Sequence, residues 1–208
     1  MTQIDGRIVG EGIGFKVRPQ VLDRIEFWGV RPIVPAAVAV FFVSSVMHTV
    51  LGYHWNDFRA VPNQNAALEA LRGLNLPSGD YALPKAENVQ QLRGPEFQAL
   101  YRRGPVLLMN VADGRRLAIH KNLLQWFAYL LVVGFCCAYI AGRELPPGAD
   151  YLTVFRLVGL TAFMGYSLAL PQGSIWYRRN SRLTVVEMIE GLVYAGLTAG
   201  MFGWLWPK

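Results

Sequence analysis

Apolar positions along this chain fall in long blocks separated by polar stretches. Ile33–Tyr53 runs 21 residues with no acidic or basic side chain other than His48, and Leu123–Ala141 runs 19 with none at all. About 20 such residues in a helix cross the hydrocarbon core of a bilayer, so both blocks predict membrane spans. Tyr151–Pro171 and Leu183–Trp206 are apolar over similar lengths but carry Arg156 and the pair Glu187 and Glu190. Neither holds the turn-rich break that a soluble helical pair needs, so they read as a third and a fourth span. The expected fold class is mainly α, a polytopic membrane protein. It has a four-helix transmembrane bundle and a small α+β extramembrane domain between helices 1 and 2.

The expected boundaries are a polar N-terminal tail over 1–31, the first transmembrane helix over 32–54, the small domain over 55–120 and the remaining helices over 121–208. In the tail, RIVGEGIGFKV predicts a short hairpin and VLDRIEFW a surface amphipathic stretch. No apolar core precedes residue 33, so the first block is expected to be an uncleaved anchor. In the small domain, Asn65 is expected to cap the helix AALEALR with Gly73 at its end. Pro77–Ser78–Gly79 predicts a turn, and Pro95–Glu96 opens a second helix closed by Gly104. PVLLMNV then reads as a strand, with a turn at Asp113–Gly114 and RRLAI returning beside it. So short a segment buries little core alone and is expected to lean on the helices or on a partner.

Small residues recur four apart in the later spans, in the pattern that lets helix backbones approach closely in lipid. Gly191, Ala195, Ala199 and Gly203 form such a row in the last block, with Gly196 and Gly200 beside it. Gly134, Ala138 and Gly142 do so in the second, and Thr161, Gly165 and Ala169 in the third.

Composition supports the membrane assignment: 53% of residues are hydrophobic and 16% charged, against about a quarter charged in soluble domains. The net charge of +6 comes from basic residues that mostly flank the spans, which points to lipid headgroups rather than nucleic acid. The adjacent Cys136 and Cys137 read as packing residues. No zinc-ligand spacing, phosphate-binding loop, dinucleotide fingerprint or nucleophile elbow is present. The arginines before the first span set the expected orientation, with both termini cytoplasmic in a bacterial inner membrane and the small domain outside.

Four spans bring the end of the first, the start of the second, the end of the third and the start of the fourth to one membrane face. That face collects His48, His54, His120, Lys121, Gln125, Gln172, Arg178, Arg179, Arg182, Glu187 and Glu190. Glu190 lies about 10 Å along its helix from Leu183, with Glu187 a turn shallower. Ionisable groups at such depth are costly and usually face a partner. Arg178, Arg182, Lys121, His120 and Gln125 are the candidates, Arg156 being near the opposite side. Three chemical readings stand beside a purely structural pairing with the loop arginines. They are a proton or ion site on Glu190 and Glu187 with a histidine, a quinone or lipid-headgroup pocket, and pigment or haem ligation by His48. No cofactor is required by the sequence. His48 and His54, six apart, fall on different faces of a continuous helix and do not read as paired metal ligands.

MHTVLGYHWNDFRAVPNQNAALEALRGLNLPSGDYALP, VFRLVGLTAFMGYSLALPQGSIW and EGLVYAGLTAGMFGWLWP resemble a family of bacterial inner-membrane proteins of unassigned activity. In that family a small domain follows the first of about four transmembrane helices. The resemblance covers roughly residues 40–207 and implies architecture only. The expected function is a non-catalytic accessory or assembly subunit of a larger respiratory or photosynthetic membrane complex, in contact with lipids and other membrane subunits. The alternative is a small membrane enzyme or transporter using the intramembrane glutamate cluster.

Overall fold

The computed structural model describes residues 31–113 and 119–208. The hairpin and the amphipathic stretch expected in the tail lie outside these residues. Four long helices dominate: α1 (Ile33–Thr49), α5 (Ile119–Glu144), α6 (Tyr151–Tyr166) and α8 (Ser181–Leu205). Between α1 and α5 stand a 3-10 turn (Tyr53–Asn56), α2 (Gln64–Gly73), β1 (Gly79–Leu83), α3 (Val89–Arg93), α4 (Pro95–Arg103) and β2 (Leu107–Val111). The short α7 (Pro171–Tyr177) extends α6 after a turn.

Three stretches, Ile119–Glu144, Tyr151–Tyr177 and Ser181–Leu205, are long and apolar enough to cross a membrane, which marks this as a helical membrane protein. The first expected span is shorter than the sequence suggests. Helix α1 holds 17 residues and stops at Thr49, about 25 Å of helix at 1.5 Å per residue. Gly52 follows at φ 63°, a left-handed conformation that breaks the helix. The apolar block therefore ends in a reversal and not in a straight continuation to residue 54.

α1 packs against α5 and α8, and α6 packs against the same two helices. The buried face of α1, Ile33, Ala36, Ala37, Val40 and Ser44, has the three- and four-residue spacing of a helical stripe. Val40, Leu130, Cys137, Val154, Val158 and Phe202 are almost completely buried at the centre. The row on α8 works as its spacing implies. Ala195 and Ala199 are buried, and a Cβ on Gly191 would collide with Ser167 Oγ. A Cβ on Gly203 would stand 2.6 Å from the Tyr151 ring. On α5, Gly134 and Ala138 are buried, and a Cβ on Gly134 would meet Ile33 at 3.0 Å. The other rows depart from expectation. Gly142 and Gly196 have nothing within 4 Å of an added Cβ, and α6 buries Val154, Val158 and Ala162 instead of Thr161, Gly165 and Ala169. Ala169 lies beyond the end of α6. Gly165 instead touches α5, where its carbonyl accepts a 2.6 Å hydrogen bond from Tyr129.

Asp150 caps α6 by accepting from the Thr153 amide, and Asn180 caps α8 by accepting from that of Arg182. At the end remote from the glutamates, Trp206 Nε1 donates to the Pro146 carbonyl at 3.0 Å and the Gly148 amide donates to that of Pro207 at 2.7 Å. These bonds tie the C-terminus to the α5–α6 loop.

The segment from 55 to 113 is α plus β with a different strand pairing from the one expected. β1 and β2 are antiparallel, from Gly79 opposite Val111 to Leu83 opposite Leu107. Asn110 donates to its cross-strand partner Asp80 at 2.8 Å. Most of RRLAI lies outside the described residues, and its Ile119 opens α5. α2 is capped by Asn63, not Asn65: the Asn63 side chain accepts from the Ala66 amide. α4 starts at Pro95 and closes at Gly104, at φ 61°, as the sequence predicts.

Candidate functional site

Glu190 sits on α8 nine positions after Ser181, inside the helical body, and is 5% exposed. The chain reversal at Gly52 decides what faces it. Helix α1 ends, the 3-10 turn folds back, and Tyr53 and His54 come to lie over the end of α1. Tyr53 donates its hydroxyl proton to Glu190 Oε1 at 2.6 Å. His54 Nε2 lies 2.7 Å from the same oxygen, off the line of a hydrogen bond. His48 Nε2 approaches Glu190 Oε2 to 3.8 Å. The His48 and His54 rings stack, centroids 4.3 Å apart and planes 16° from parallel.

Each histidine has its other nitrogen occupied. His48 Nδ1 lies 2.9 Å from the Ser44 carbonyl oxygen, and His54 Nδ1 lies 2.5 Å from Asp57 Oδ2. Both acceptors require a proton on Nδ1, which leaves each Nε2 as the ring nitrogen beside Glu190. Burial lowers the His54 proton affinity, but the Asp57 hydrogen bond and the Glu190 charge outweigh it and raise the pKa above the ordinary histidine value. Desolvation, with the Glu190 hydrogen bond and charge beside it, raises that of Tyr53, so this phenol stays a donor.

Glu187, one turn away, is engaged separately. Arg179 binds it through both guanidinium nitrogens, at 2.8 Å and 2.5 Å, in the bidentate geometry that favours arginine. The two carboxylates three residues apart thus have different tasks: one pairs with a loop arginine, the other is buried among a phenol and two imidazoles. The pairing with a loop arginine is made by Arg179, while none of the five named candidates Arg178, Arg182, Lys121, His120 and Gln125 bonds to either glutamate among the described residues. His120, Lys121 and Gln125 are exposed on the first turns of α5. Arg178 stacks over the Tyr101 ring of α4 at 5.5 Å, joining the 55–113 segment to the loop before α8. Arg182 lines a small cleft with Tyr53 and Asp57. Arg156 is exposed and remote.

A cavity of about 670 Å³ opens beside the carboxylate. Ser44, His48, Trp126, Glu187, Glu190 and Tyr194 form much of its wall. Trp126 donates its indole proton to Ser44 Oγ at 3.0 Å, which orients the ring. The Tyr194 ring packs edge-on against Trp126 and Tyr166, with centroids 6.0 Å and 5.9 Å away. Its hydroxyl is buried and takes no hydrogen bond from the protein. Buried hydroxyls nearly always have a partner, so this group marks where a polar atom of a ligand or a water is accommodated.

Tyr53, Asp57, Ser44, Trp126 and Tyr194 were not singled out by the sequence, and His54 was set aside as a ligand. Six residues apart, His48 and His54 would face different ways on a helix that ran through both. Helix α1 ends between them, and the reversal stacks the two rings. The one cue is Gly52 immediately before Tyr53. Comparison with protein-family models, curated proteins and solved structures finds no match to this chain.

Proposed function

We propose that this is a bacterial inner-membrane protein with four membrane-crossing helices and both termini in the cytoplasm, whose cavity binds an amphipathic molecule of the membrane. The head of that molecule is a planar, oxygen-bearing ring of the quinone class. The unpartnered hydroxyl of Tyr194 at the cavity wall carries this reading. It lies one turn along α8 from the acidic group Glu190, on the same face of the helix, with Trp126 and Tyr166 supplying aromatic walls. Ligand sites combine an apolar lining with a few convergent polar groups in this way. α1 is short for a span, at the lower limit of what crosses a bilayer.

The test is titration of the detergent-solubilised full chain with a short-chain quinone analogue and, separately, a short-chain phospholipid, following tryptophan fluorescence with Trp126→Phe as the probe control. Saturable binding of the quinone that weakens at least about tenfold in Tyr194→Phe is expected, the size of one lost hydrogen bond to a buried group. Preference for the phospholipid, or equal quinone binding by wild type and variant, contradicts the reading.

A second reading, an accessory subunit of a respiratory or photosynthetic complex, is favoured by a separate observation. Among the described side chains of the 55–113 segment only Phe97 is buried, while Leu68, Leu71, Leu74, Leu92, Leu100 and Leu108 are exposed. Leucines exposed at this density suit a covering neighbour. Mild-detergent isolation through a tag on Lys208 checks it: a large particle with other subunits supports it, and a lone 23.3 kDa chain removes it.

A further inference from the structure

The cluster around Glu190 presents an electrostatic problem. With Nδ1 protons directed at the Ser44 carbonyl and at Asp57, the Nε2 atoms of both rings are left beside a carboxylate that is itself electron-rich. His54 Nε2 and Glu190 Oε1, 2.7 Å apart, repel unless a proton or a metal ion lies between or beside them. His54 Nε2 is buried and has no hydrogen-bond partner. Ligand atoms of His48, His54 and Glu190 all fall within 4.8 Å of one another. Donors around a tetrahedral zinc ion at about 2.0–2.1 Å stand about 3.3 Å apart. The His54–Glu190 and His48–Glu190 separations of 2.7 Å and 3.8 Å bracket that value.

The groups behind these three carry the argument further. Metal-bound histidines characteristically direct the other ring nitrogen to a carboxylate or backbone carbonyl, and metal-bound carboxylates are hydrogen-bonded in turn. Here His54 has Asp57, His48 has the Ser44 carbonyl, and Glu190 has the Tyr53 hydroxyl. All three candidate ligands possess the supporting partner that ligation requires. An ion pair alone has no need for this complete outer layer.

We propose that His48, His54 and Glu190 form a binding site for a divalent metal ion of the zinc type. Two histidines and one carboxylate are a donor set that leaves coordination positions open. His48 and Glu190 line the cavity of about 670 Å³, so those positions face it. An oxygen atom of a bound molecule, or a water, completes the coordination. His48, with its side chain about half exposed, has the freedom to tilt its ring off the stack as it closes on the ion. The inference deepens the cavity reading, because the metal would receive the ligand's polar head. Metal binding is nevertheless measured without any amphiphile, so either idea can fail alone.

The experiment uses the full chain purified in detergent through a tag that contains no histidine, stripped with chelator and titrated with Co²⁺ and then Zn²⁺. One Co²⁺ per chain, with the visible absorption of a low-symmetry site that Zn²⁺ bleaches, is expected. His54→Ala and Glu190→Gln should abolish the spectrum. Asp57→Asn, which keeps the ligands but weakens the support of His54, should lower affinity by about 10- to 100-fold. Far-ultraviolet circular dichroism and gel-filtration behaviour of each variant show whether it folds. If a folded His54→Ala variant keeps the wild-type Co²⁺ spectrum, or if wild type binds no metal under these conditions, the proposal is overturned. In the second case the cluster is a proton-sharing group only.

Discussion

The helical body and the segment from 55 to 113 follow opposite rules. The body closes on itself. Small residues on α8 bring its backbone against α6, and Val40, Leu130, Val158 and Phe202 are sealed in the centre. The other segment has regular caps, a registered strand pair and one buried side chain, Phe97. Secondary structure without a core has little independent stability. Close backbone approach therefore holds the body together, whereas local hydrogen bonds and one aromatic residue hold the segment. The Glu190 site lies at the junction, with its carboxylate on the body and Tyr53, His54 and Asp57 on the turn that begins the segment.

Removing Phe97, the buried side chain of the segment, should separate the two regions most sharply. Phe97→Ala should cost about 3 kcal/mol or more, the usual range for a buried phenylalanine. The loss should stay local. Amide exchange should accelerate across α4, β1 and β2 while α5, α6 and α8 remain protected. Equal acceleration in both regions would show one cooperative unit.

Next in size is a paired glycine test of the body. A Cβ at Gly191 collides with Ser167, whereas one at Gly196 meets nothing within 4 Å. Gly191→Ala should destabilise the detergent-solubilised protein by about 2 kcal/mol, as overpacking does. Gly196→Ala should be neutral or stabilise by up to about 1 kcal/mol through helix propensity. Thermal unfolding of the two variants in one detergent decides it, and equal effects would refute the assigned packing face.

Asn63→Ala removes the cap of α2 and should cost about 1 kcal/mol within the segment, read as faster exchange in α2 alone. The smallest effect is a pH dependence at Asp150. The Thr153 hydroxyl and amide bonds hold its carboxyl below the usual value. A depressed folded-state pKa gives stability that is present above the unfolded value of about 3.9 and is lost as pH falls through the folded one. Asp150→Asn should therefore flatten the stability–pH curve below about pH 4, and an unchanged slope would show that the cap contributes nothing.

The long apolar helices were legible because twenty apolar residues in lipid have few alternatives to helix. The α8 row was legible because its period coincides with its contact face. The strand pairing was not, since β1 and β2 are separated by α3 and α4, and nothing local in GDYAL names a partner. The site was half legible. Glu187 and Glu190 stood out as carboxylates in an apolar block, and His48 as the polar residue of the first. Their partners did not, because Tyr53 and His54 lie 137 and 136 positions from Glu190 and reach it only through a reversal at Gly52. The loop arginine next in line, Arg179, bound Glu187 where Arg178 and Arg182 were equally plausible by spacing. Arg178 takes a left-handed turn at φ 54° and lies over the Tyr101 ring, and Arg179 is the one that meets Glu187.

The turn after α1 delivers Tyr53 and His54 to a carboxylate buried on α8. Solid-state NMR of the lipid-reconstituted, isotope-labelled full chain tests it most directly. Through-space transfer from the Glu190 carboxyl carbon to the His54 ring nitrogens is predicted, with the carboxyl signal identified by its loss in Glu190→Gln. A Glu190 carboxyl that shows transfer to the guanidinium nitrogens of an arginine, and none to His54, would contradict the account.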